Sequence, residues 1–167
     1  MNTVETNPIL SAEAVKRKIR RMAFEIAERN AGCDSITIAG VAGNGLVVAQ
    51  NVIEELRQIV HCPIEFVTVE LNKKKPLDVT IGNSGNFDGK TIIIVDDVAD
   101  SGRTLLYALK PFLLFQPRSI QTLVLVERSH KIFPVQSDYV GLSVATTLQE
   151  HILVETSEGN IVGAWLH

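Results

Sequence analysis

The stretch Lys90–Ala108, KTIIIVDDVADSGRTLLYA, decides the fold because it contains a strand, a polar turn and the start of a helix in succession. Residues 91–95 form a short apolar, β-branched run, which is typical of a buried strand. Two aspartates follow the run, then a turn of small polar residues, then leucines at helical spacing. This order predicts a strand that passes through an acidic turn into a helix.

The turn after this strand has the composition of an anion-binding site. A helix N-terminus offers unpaired backbone N–H groups and the positive end of a dipole. Gly102 lets those amides approach an anion, and Ser101 and Thr104 can add hydroxyl donors. The carboxylates of Asp96 and Asp97 suit sugar hydroxyls instead, or a hydrated Mg²⁺ near a polyphosphate. A phosphorylated ribose satisfies both halves, whereas a plain surface turn would need neither.

The segment VDDVADSGRT, residues 95–104, resembles the diphosphoribose-binding signature of type I phosphoribosyltransferases. The resemblance implies one α/β domain over residues 1–167, with a mainly parallel sheet flanked by helices and a small hood over the base. It implies Mg²⁺, bound indirectly through the first two aspartates. The implied catalytic residues are Asp96, Asp97 and Asp100, and the implied phosphate-binding residues are Ser101, Gly102, Arg103 and Thr104. The side chain of Arg103 can point to solvent, because such a turn works through its amides.

Composition excludes several classes of protein. The chain has 167 residues, 46% of them hydrophobic, which is ordinary for one globular domain. Its net charge of −3 argues against a generally basic nucleic-acid-binding protein. The N-terminus is polar, and no apolar run reaches about 20 residues, so we expect a cytoplasmic protein without a membrane span.

The first half of the chain contains a second glycine-rich turn. After a tail at residues 1–10, Ser11 is expected to cap a helix over residues 12–30. A strand at 35–39 and a helix at 46–60 then flank Gly40–Gly45, which resembles the family's pyrophosphate loop at Ala42, Gly43, Asn44 and Gly45. Related members carry basic residues where Ala42 and Asn44 stand. Here the backbone amides alone are left to bind pyrophosphate.

Residues 72–88 are polar and rich in turn formers. The family has a flexible loop at this position, which closes over the reacting centre and excludes water. The alternative is a two-stranded hairpin in which Lys73–Lys75 serve only as solubilising charge. Further on, residues 150–156 and 160–166 are expected to form two closing strands. Strands should end at about Ala39, Leu71, Val95 and Val126, with the ligand site outside these ends.

Residues 127–150 are expected to form the hood. The segment Arg128–Gly141 resembles one branch in particular, the PyrR branch of pyrimidine regulators that are also uracil phosphoribosyltransferases. In that branch, basic residues here and on the first helix face RNA. The corresponding hood or RNA-facing residues are Arg128, His130 and Lys131. Phe24 and Gln136 replace a histidine and an arginine of the branch, so the sequence predicts weak RNA binding.

Three functions remain open from the sequence. The first is transfer of the phosphoribosyl group of 5-phosphoribosyl 1-diphosphate (PRPP) to a nucleobase, with uracil ranked first because of the hood segment. The second is transfer to a purine, because Asp100 stands where the PyrR branch tends to have tyrosine and where purine-using members often have an acid. The third is a nucleotide-sensing, RNA-binding regulator with weak or no catalysis. We also expect a homo-oligomer, a dimer or larger.

Overall fold

A computed structural model describes residues 7–83 and 85–167, and nine strands and three α-helices are assigned in that part of the chain. A 3₁₀ turn, Lys110–Leu114, follows the third helix. The elements in chain order are β1 (Asn7–Ser11), α1 (Ala12–Arg29), β2 (Ile36–Val41), α2 (Asn44–Leu56), β3 (Ile64–Leu71), β4 (Val79–Ile81), β5 (Thr91–Ala99), α3 (Arg103–Leu109), β6 (Ser119–Arg128), β7 (Tyr139–Val144), β8 (Ile152–Ser157) and β9 (Asn160–Leu166).

The main sheet has six strands in the order β4-β3-β2-β5-β6-β7. β4 is antiparallel to β3, and every other pair in this sheet is parallel. All six residues of β2 are buried, as expected for a central strand with both faces covered. Helices α1 and α2 contribute to the apolar cluster on one face, and α3 contributes to a second cluster. The predicted fold class, a mainly parallel sheet flanked by helices, is confirmed.

The register of the sheet brings the carboxyl ends of its central strands to one edge. Gly40 of β2 lies opposite both Thr68 of β3 and Val95 of β5. β5 continues beyond its predicted end at Val95, because Asp96 pairs with Val124 of β6 and the ladder extends to Ala99. The two aspartates therefore lie within the strand, where the ladder fixes their backbone, and not in the turn after it.

Helix α1 begins where the sequence predicted. The Ser11 side chain accepts a hydrogen bond from the backbone N–H of Ala14 at 3.2 Å, which caps the first turn. Helix α2 begins at Asn44, two residues earlier than predicted, and ends at Leu56 rather than at residue 60. No helix in the described part of the chain is long and apolar enough to cross a membrane.

A second, three-stranded antiparallel sheet has the order β1-β9-β8. Residues 7–10, expected in a tail, belong to β1 because Leu10 is buried in the core and pairs with Ala164 of β9. The segment 127–150, expected to form the hood, supplies the end of β6 and the strand β7, which extends the main sheet. The hairpin of β8 and β9 was predicted, within two residues at each end.

The polar segment 72–88 contains a short strand. β4 pairs with the end of β3, and the N–H of Gly82 donates to the carbonyl of Thr68 at 2.9 Å. Phe87 is buried and stacks edge-on against Phe112, with ring centroids 5.1 Å apart. The hairpin alternative therefore describes part of this segment, while Ser84 within it lies outside the described residues.

Candidate active site

The acidic pair lies at the carboxyl end of β5, with one member buried and the other bordering a cavity. The Asp96 side chain is 1% exposed and that of Asp97 is 13% exposed. Asp96 Oδ1 accepts the backbone N–H of Asp97 at 2.9 Å, and Asp97 Oδ1 accepts that of Val98 at 2.9 Å. Both carboxylates are thus held by the strand's own backbone, with further lone pairs available for donors.

A lysine from the β3–β4 connection contacts both carboxylates. Lys73 Nζ lies 3.2 Å from Asp96 Oδ1, 3.5 Å from Asp96 Oδ2 and 3.7 Å from Asp97 Oδ1. Burial raises the pKa of Asp96 to about 8, and the charge of Asp97 adds to the rise while Lys73 opposes it. Burial acts to lower the pKa of Lys73, but the two aspartates outweigh it and hold that pKa above its usual value.

This contact was not predicted from the sequence, in which Lys73–Lys75 could serve only as solubilising charge. The position of Lys73 in the chain could have indicated this contact. Lys73 stands two residues after β3 ends at Leu71, and the carboxyl ends of parallel strands meet at one edge.

The turn Ser101–Thr104 connects β5 to α3. Gly102 has φ +83°, a left-handed conformation that glycine adopts without strain. Ser101 Oγ accepts the N–H of Arg103 at 3.2 Å, and the Ser101 carbonyl accepts the N–H groups of Ile132 at 3.1 Å and Phe133 at 3.0 Å. The turn is therefore fixed from outside by the β6–β7 connection, which leaves its inner side facing the cavity.

Arg103 does not simply point to solvent. Its Nη2 donates to the carbonyl oxygens of Lys73 at 3.0 Å and Lys74 at 2.6 Å. The first residue of α3 thus ties the start of the β3–β4 connection to the phosphate turn, which keeps Lys73 near the acidic pair.

The glycine-rich loop at the start of α2 lies against the same pair. Gly43 has φ +93°, and a Cβ at Gly45 would lie 2.9 Å from Asp96 Oδ1 and 3.1 Å from the Val95 carbonyl. Only glycine fits there without movement of the neighbouring backbone. The N–H of Ala42 is engaged by the carbonyl of Val69 at 2.9 Å.

These features surround one cavity of about 260 Å³, near the lower end of the range for small-molecule sites. The acidic strand end and the whole phosphate turn line it on one side, and β8 of the small sheet closes the other. The lining residues are Lys73, Asp97, Val98, Ala99, Asp100, Ser101, Gly102, Arg103, Thr104, Leu105, Ile152, Leu153 and Val154. The structure therefore brings Asp97, Asp100 and the predicted phosphate-binding residues to one cavity, and adds a wall of β8 that no sequence motif marked. Asp96 does not line the cavity, because its side chain is buried next to Asp97.

Asp100 lines this cavity and is paired with a cation. Its Oδ1 lies 2.8 Å from Arg128 Nε, while Arg128 Nη2 donates to the carbonyl of Glu150 at 2.6 Å. The Asp100 contact is an ion pair rather than a hydrogen bond, because its geometry leaves the buried Nε without an acceptor. Arg128 thus connects the acidic turn to the segment just before β8.

The remaining basic residues of the predicted hood, His130 and Lys131, do not line the cavity. Lys131 Nζ lies 2.6 Å from Glu127 Oε1, and the two side chains are 10% and 11% exposed. His130 is exposed. Two of the three predicted hood or RNA-facing cations therefore have an anionic partner within the chain.

The described residues contain no group of three or more side chains suited to holding a metal ion. Mg²⁺ in proteins is commonly bound through one or two carboxylates together with substrate phosphates and waters. The pair Asp96 and Asp97 fits a cation of that kind, one that arrives with a polyphosphate ligand.

The sequence pattern of the phosphoribosyl transferase domain matches residues 5–157, and the chain belongs to this family. Among curated relatives, the bifunctional protein PyrR of Enterococcus faecalis (strain ATCC 47077 / OG1RF) is 33% identical over 159 residues, which cover 90% of this chain and 89% of that protein. The bifunctional protein PyrR of Roseiflexus sp. (strain RS-1) is 34% identical over 170 residues, which cover 95% and 93%. The predicted resemblance is confirmed at both levels.

Solved structures show the same fold at lower identity. A hypoxanthine-guanine phosphoribosyltransferase from Bacillus anthracis superposes with a TM-score of 0.75 at 20% identity, covering 96% of this chain and 99% of that one. The hypoxanthine phosphoribosyltransferase of Trypanosoma cruzi superposes with a TM-score of 0.76 at 16% identity, covering 94% and 95%.

Proposed function

We propose that this protein transfers the 5-phosphoribosyl group of PRPP to a nucleobase, uracil first, and releases pyrophosphate. The observation that carries the proposal is that the acidic end of β5 and the whole turn Ser101–Thr104 line the same cavity. A ligand with a phosphate at one end and a sugar diol in the middle matches this pairing of anionic and amide-rich surfaces.

The two halves of the cavity would act on different parts of the ligand. Asp96 and Asp97 accept hydrogen bonds from the ribose hydroxyls, and the turn donates to the 5-phosphate. In the reaction, the C1′–oxygen bond to pyrophosphate breaks and its electron pair leaves with the pyrophosphate. A bond from a base nitrogen to C1′ forms, and the proton of that nitrogen passes to solvent. The sugar develops positive charge in between, which the nearby carboxylates favour. Catalysis of this kind consists mainly of positioning and charge placement.

The leaving pyrophosphate would lie at the glycine-rich loop Ala42–Gly45. Mg²⁺ held by the pyrophosphate and the acidic pair would neutralise the negative charge of the departing pyrophosphate. The chain's own contribution at this loop is backbone, because Gly45 packs directly on Asp96 and leaves no room for a side chain.

Two observations support uracil over a purine. The segment 127–141 resembles the PyrR branch, and the curated relatives at 33–34% identity are PyrR proteins. Asp100, the residue that favours a purine, is held by Arg128 at 2.8 Å, so this carboxylate is already engaged and less available to take a base proton.

The contacts of the basic residues support weak RNA binding. Arg17 and Arg21 of α1 lie 2.8 Å and 2.6 Å from Glu13 and Glu25. Such pairing lowers the number of cations that can release counterions from a nucleic acid. A nucleotide-sensing regulator without catalysis remains the second candidate, favoured by the missing cations at residues 42 and 44.

The test is a panel of nucleobases assayed for pyrophosphate release with PRPP and Mg²⁺. Uracil, hypoxanthine, guanine and xanthine are compared in the wild type and in Asp100→Asn. We expect turnover with uracil in both proteins. Purine turnover that collapses in Asp100→Asn would show that Asp100 selects a purine, and no turnover with any base would favour the regulator.

A further inference from the structure

The two cysteines of the chain lie at the edge of the main sheet opposite the acidic pair. Cys33 stands three residues before β2, and Cys62 stands two residues before β3. These two strands are parallel neighbours, with Ile36 opposite Ile64 at their amino ends. The proposed transfer reaction takes place beyond the carboxyl ends of the strands, so it makes no use of either thiol.

The two cysteine side chains are in contact with each other. Cys33 Sγ lies 3.9 Å from Cys62 Sγ, and the N–H of Ile36 donates to the carbonyl of Pro63 at 3.0 Å. The segments that lead into β2 and β3 are therefore held side by side. Neighbouring strands lie about 4.8 Å apart, within the range of about 4.4–6.8 Å that a disulfide requires between Cα atoms. Rotation about the Cα–Cβ bonds can close the remaining gap between the sulfurs.

Both thiols are accessible to a small oxidant. Each cysteine is only partly buried, and both line a cavity of about 290 Å³ together with His61. A buried site of about 15 Å³ already admits a water molecule, so this cavity has room for hydrogen peroxide. Burial raises the pKa of the Cys33 thiol, and the charge of Arg118 opposes this rise. Because the thiolate is the reactive form, oxidation is expected to be faster in mildly alkaline solution.

We propose that Cys33 and Cys62 form a site of reversible oxidation, at which hydrogen peroxide converts the two thiols into an intrachain disulfide bond. One thiolate attacks peroxide, so that a sulfur–oxygen bond forms, the oxygen–oxygen bond breaks and hydroxide leaves. The second thiol then attacks the sulfenic acid, so that the sulfur–sulfur bond forms and water leaves with the proton of that thiol. Two thiols and one peroxide give one disulfide and two waters, and a dithiol reductant reverses the change.

The bond would stabilise the fold without altering the acidic pair. The residues between Cys33 and Cys62 include β2 and α2, whose buried side chains belong to the core. A cross-link around this unit restricts the unfolded chain and so favours the folded one. The thiols and the acidic pair lie at opposite ends of the central strands, so the geometry of the active site is kept.

The test uses the full chain, first reduced and then treated with hydrogen peroxide in mildly alkaline buffer. Free thiols are titrated under denaturing conditions, and mass spectrometry of a digest identifies linked peptides. We expect both thiols to be lost, with Cys33 linked to Cys62 in the same chain, and dithiothreitol to restore them. The Tm of the oxidised protein should exceed that of the reduced protein by about 5–15 °C.

The controls are Cys33→Ser and Cys62→Ser, each of which keeps one thiol. Neither variant should gain a cross-link within the chain, and peroxide should not raise the Tm of either. Their response also measures the effect of peroxide on the two methionines. Wild-type protein that retains both free thiols after treatment, or that forms cross-links only between chains, would overturn the proposal. A Cys33–Cys62 disulfide that leaves Tm unchanged would contradict its stabilising role.

Discussion

Replacing Asp96 with Asn should change how the stability of the ligand-free protein depends on pH. Asp96 is buried, and its pKa in the folded protein is raised from 3.8 to about 8. Between these two values the folded protein keeps a proton on Asp96 that the unfolded chain has released. Because the folded state binds more protons, the free energy of unfolding falls as the pH rises through this window.

The size of the effect follows from the width of the window. Each pKa unit corresponds to about 1.4 kcal/mol, and about three units lie between pH 5 and pH 8, so the upper bound is about 4 kcal/mol. Structural relaxation and water entry around the buried carboxylate stabilise its ionised form and reduce this loss. We expect the wild type to lose about 1–3 kcal/mol more than Asp96→Asn over this range, since Asn does not titrate.

Urea unfolding at several pH values in Mg²⁺-free buffer measures the difference. The matched control is Asp78→Asn, which removes an exposed carboxylate and should follow the wild type at every pH. Asp96→Asn should unfold near the wild-type midpoint at pH 5 and at a higher urea concentration than the wild type at pH 8. Parallel curves for wild type and Asp96→Asn would refute the reasoning that burial holds a proton on Asp96.

Three further predictions concern packing and partners. Gly45→Ala should lose up to about 2 kcal/mol of stability, because overpacking against the β5 backbone costs about 1–3 kcal/mol and the helix-propensity gain of about 1 kcal/mol offsets only part of a cost in the upper range. Gly85→Ala, whose added Cβ would meet only a Phe87 atom at 3.9 Å, should change thermal stability little. Asn44 Nδ2 donates to the carbonyl of Val154 at 2.8 Å and so fastens β8 to the start of α2. Asn44→Ala should lose about 1–3 kcal/mol in urea unfolding and speed amide exchange in β8, and uniform exchange across the chain would contradict the fastening role of this side chain. A gel shift at near-physiological salt should show weak RNA retention, and tight sequence-specific retention would overturn that prediction.

Much of the fold was predictable because the periodicity of apolar residues and the positions of turn-forming residues indicated the same elements. The apolar runs of β2, β3, β5 and β6 and the alternation of β8 and β9 identified these strands. β1 was missed because a short N-terminal segment carries little pattern of its own. It becomes a strand only because Leu10 finds a buried place beside Ala164, some 150 residues away in the sequence.

The small sheet shows why one wall of the cavity could not be predicted from the sequence. Residues 127–150 resemble the right branch, but resemblance does not reveal pairing. β7 belongs to the main sheet because it pairs with β6, from Leu123 opposite Tyr139 to Arg128 opposite Val144. One wall of the cavity comes from β8. Long-range pairing of this kind depends on register, which local composition does not contain.

At the site, residue types were predictable and partners were not. The order of the acidic pair, the small-residue turn and the helix located the cavity. The engagement of Asp100 by Arg128 and of Asp96 by Lys73 joins segments about 25 residues apart, and only the folded chain shows it. These partners bear on the chemistry, because Arg128 engages the candidate base Asp100 and Lys73 adds a cation to the site.

The most direct test of the central claim is the calorimetric affinity for PRPP, with Mg²⁺, of the wild type and of the double variant Asp96→Asn with Asp97→Asn. Circular dichroism first verifies that the variant is folded. We expect clear binding by the wild type and a loss of more than about 100-fold in the variant, since the negative charge of the pair and its hydrogen bonds to the ribose hydroxyls are lost. An unchanged affinity in the folded double variant would contradict the assignment of the acidic pair to the ribose.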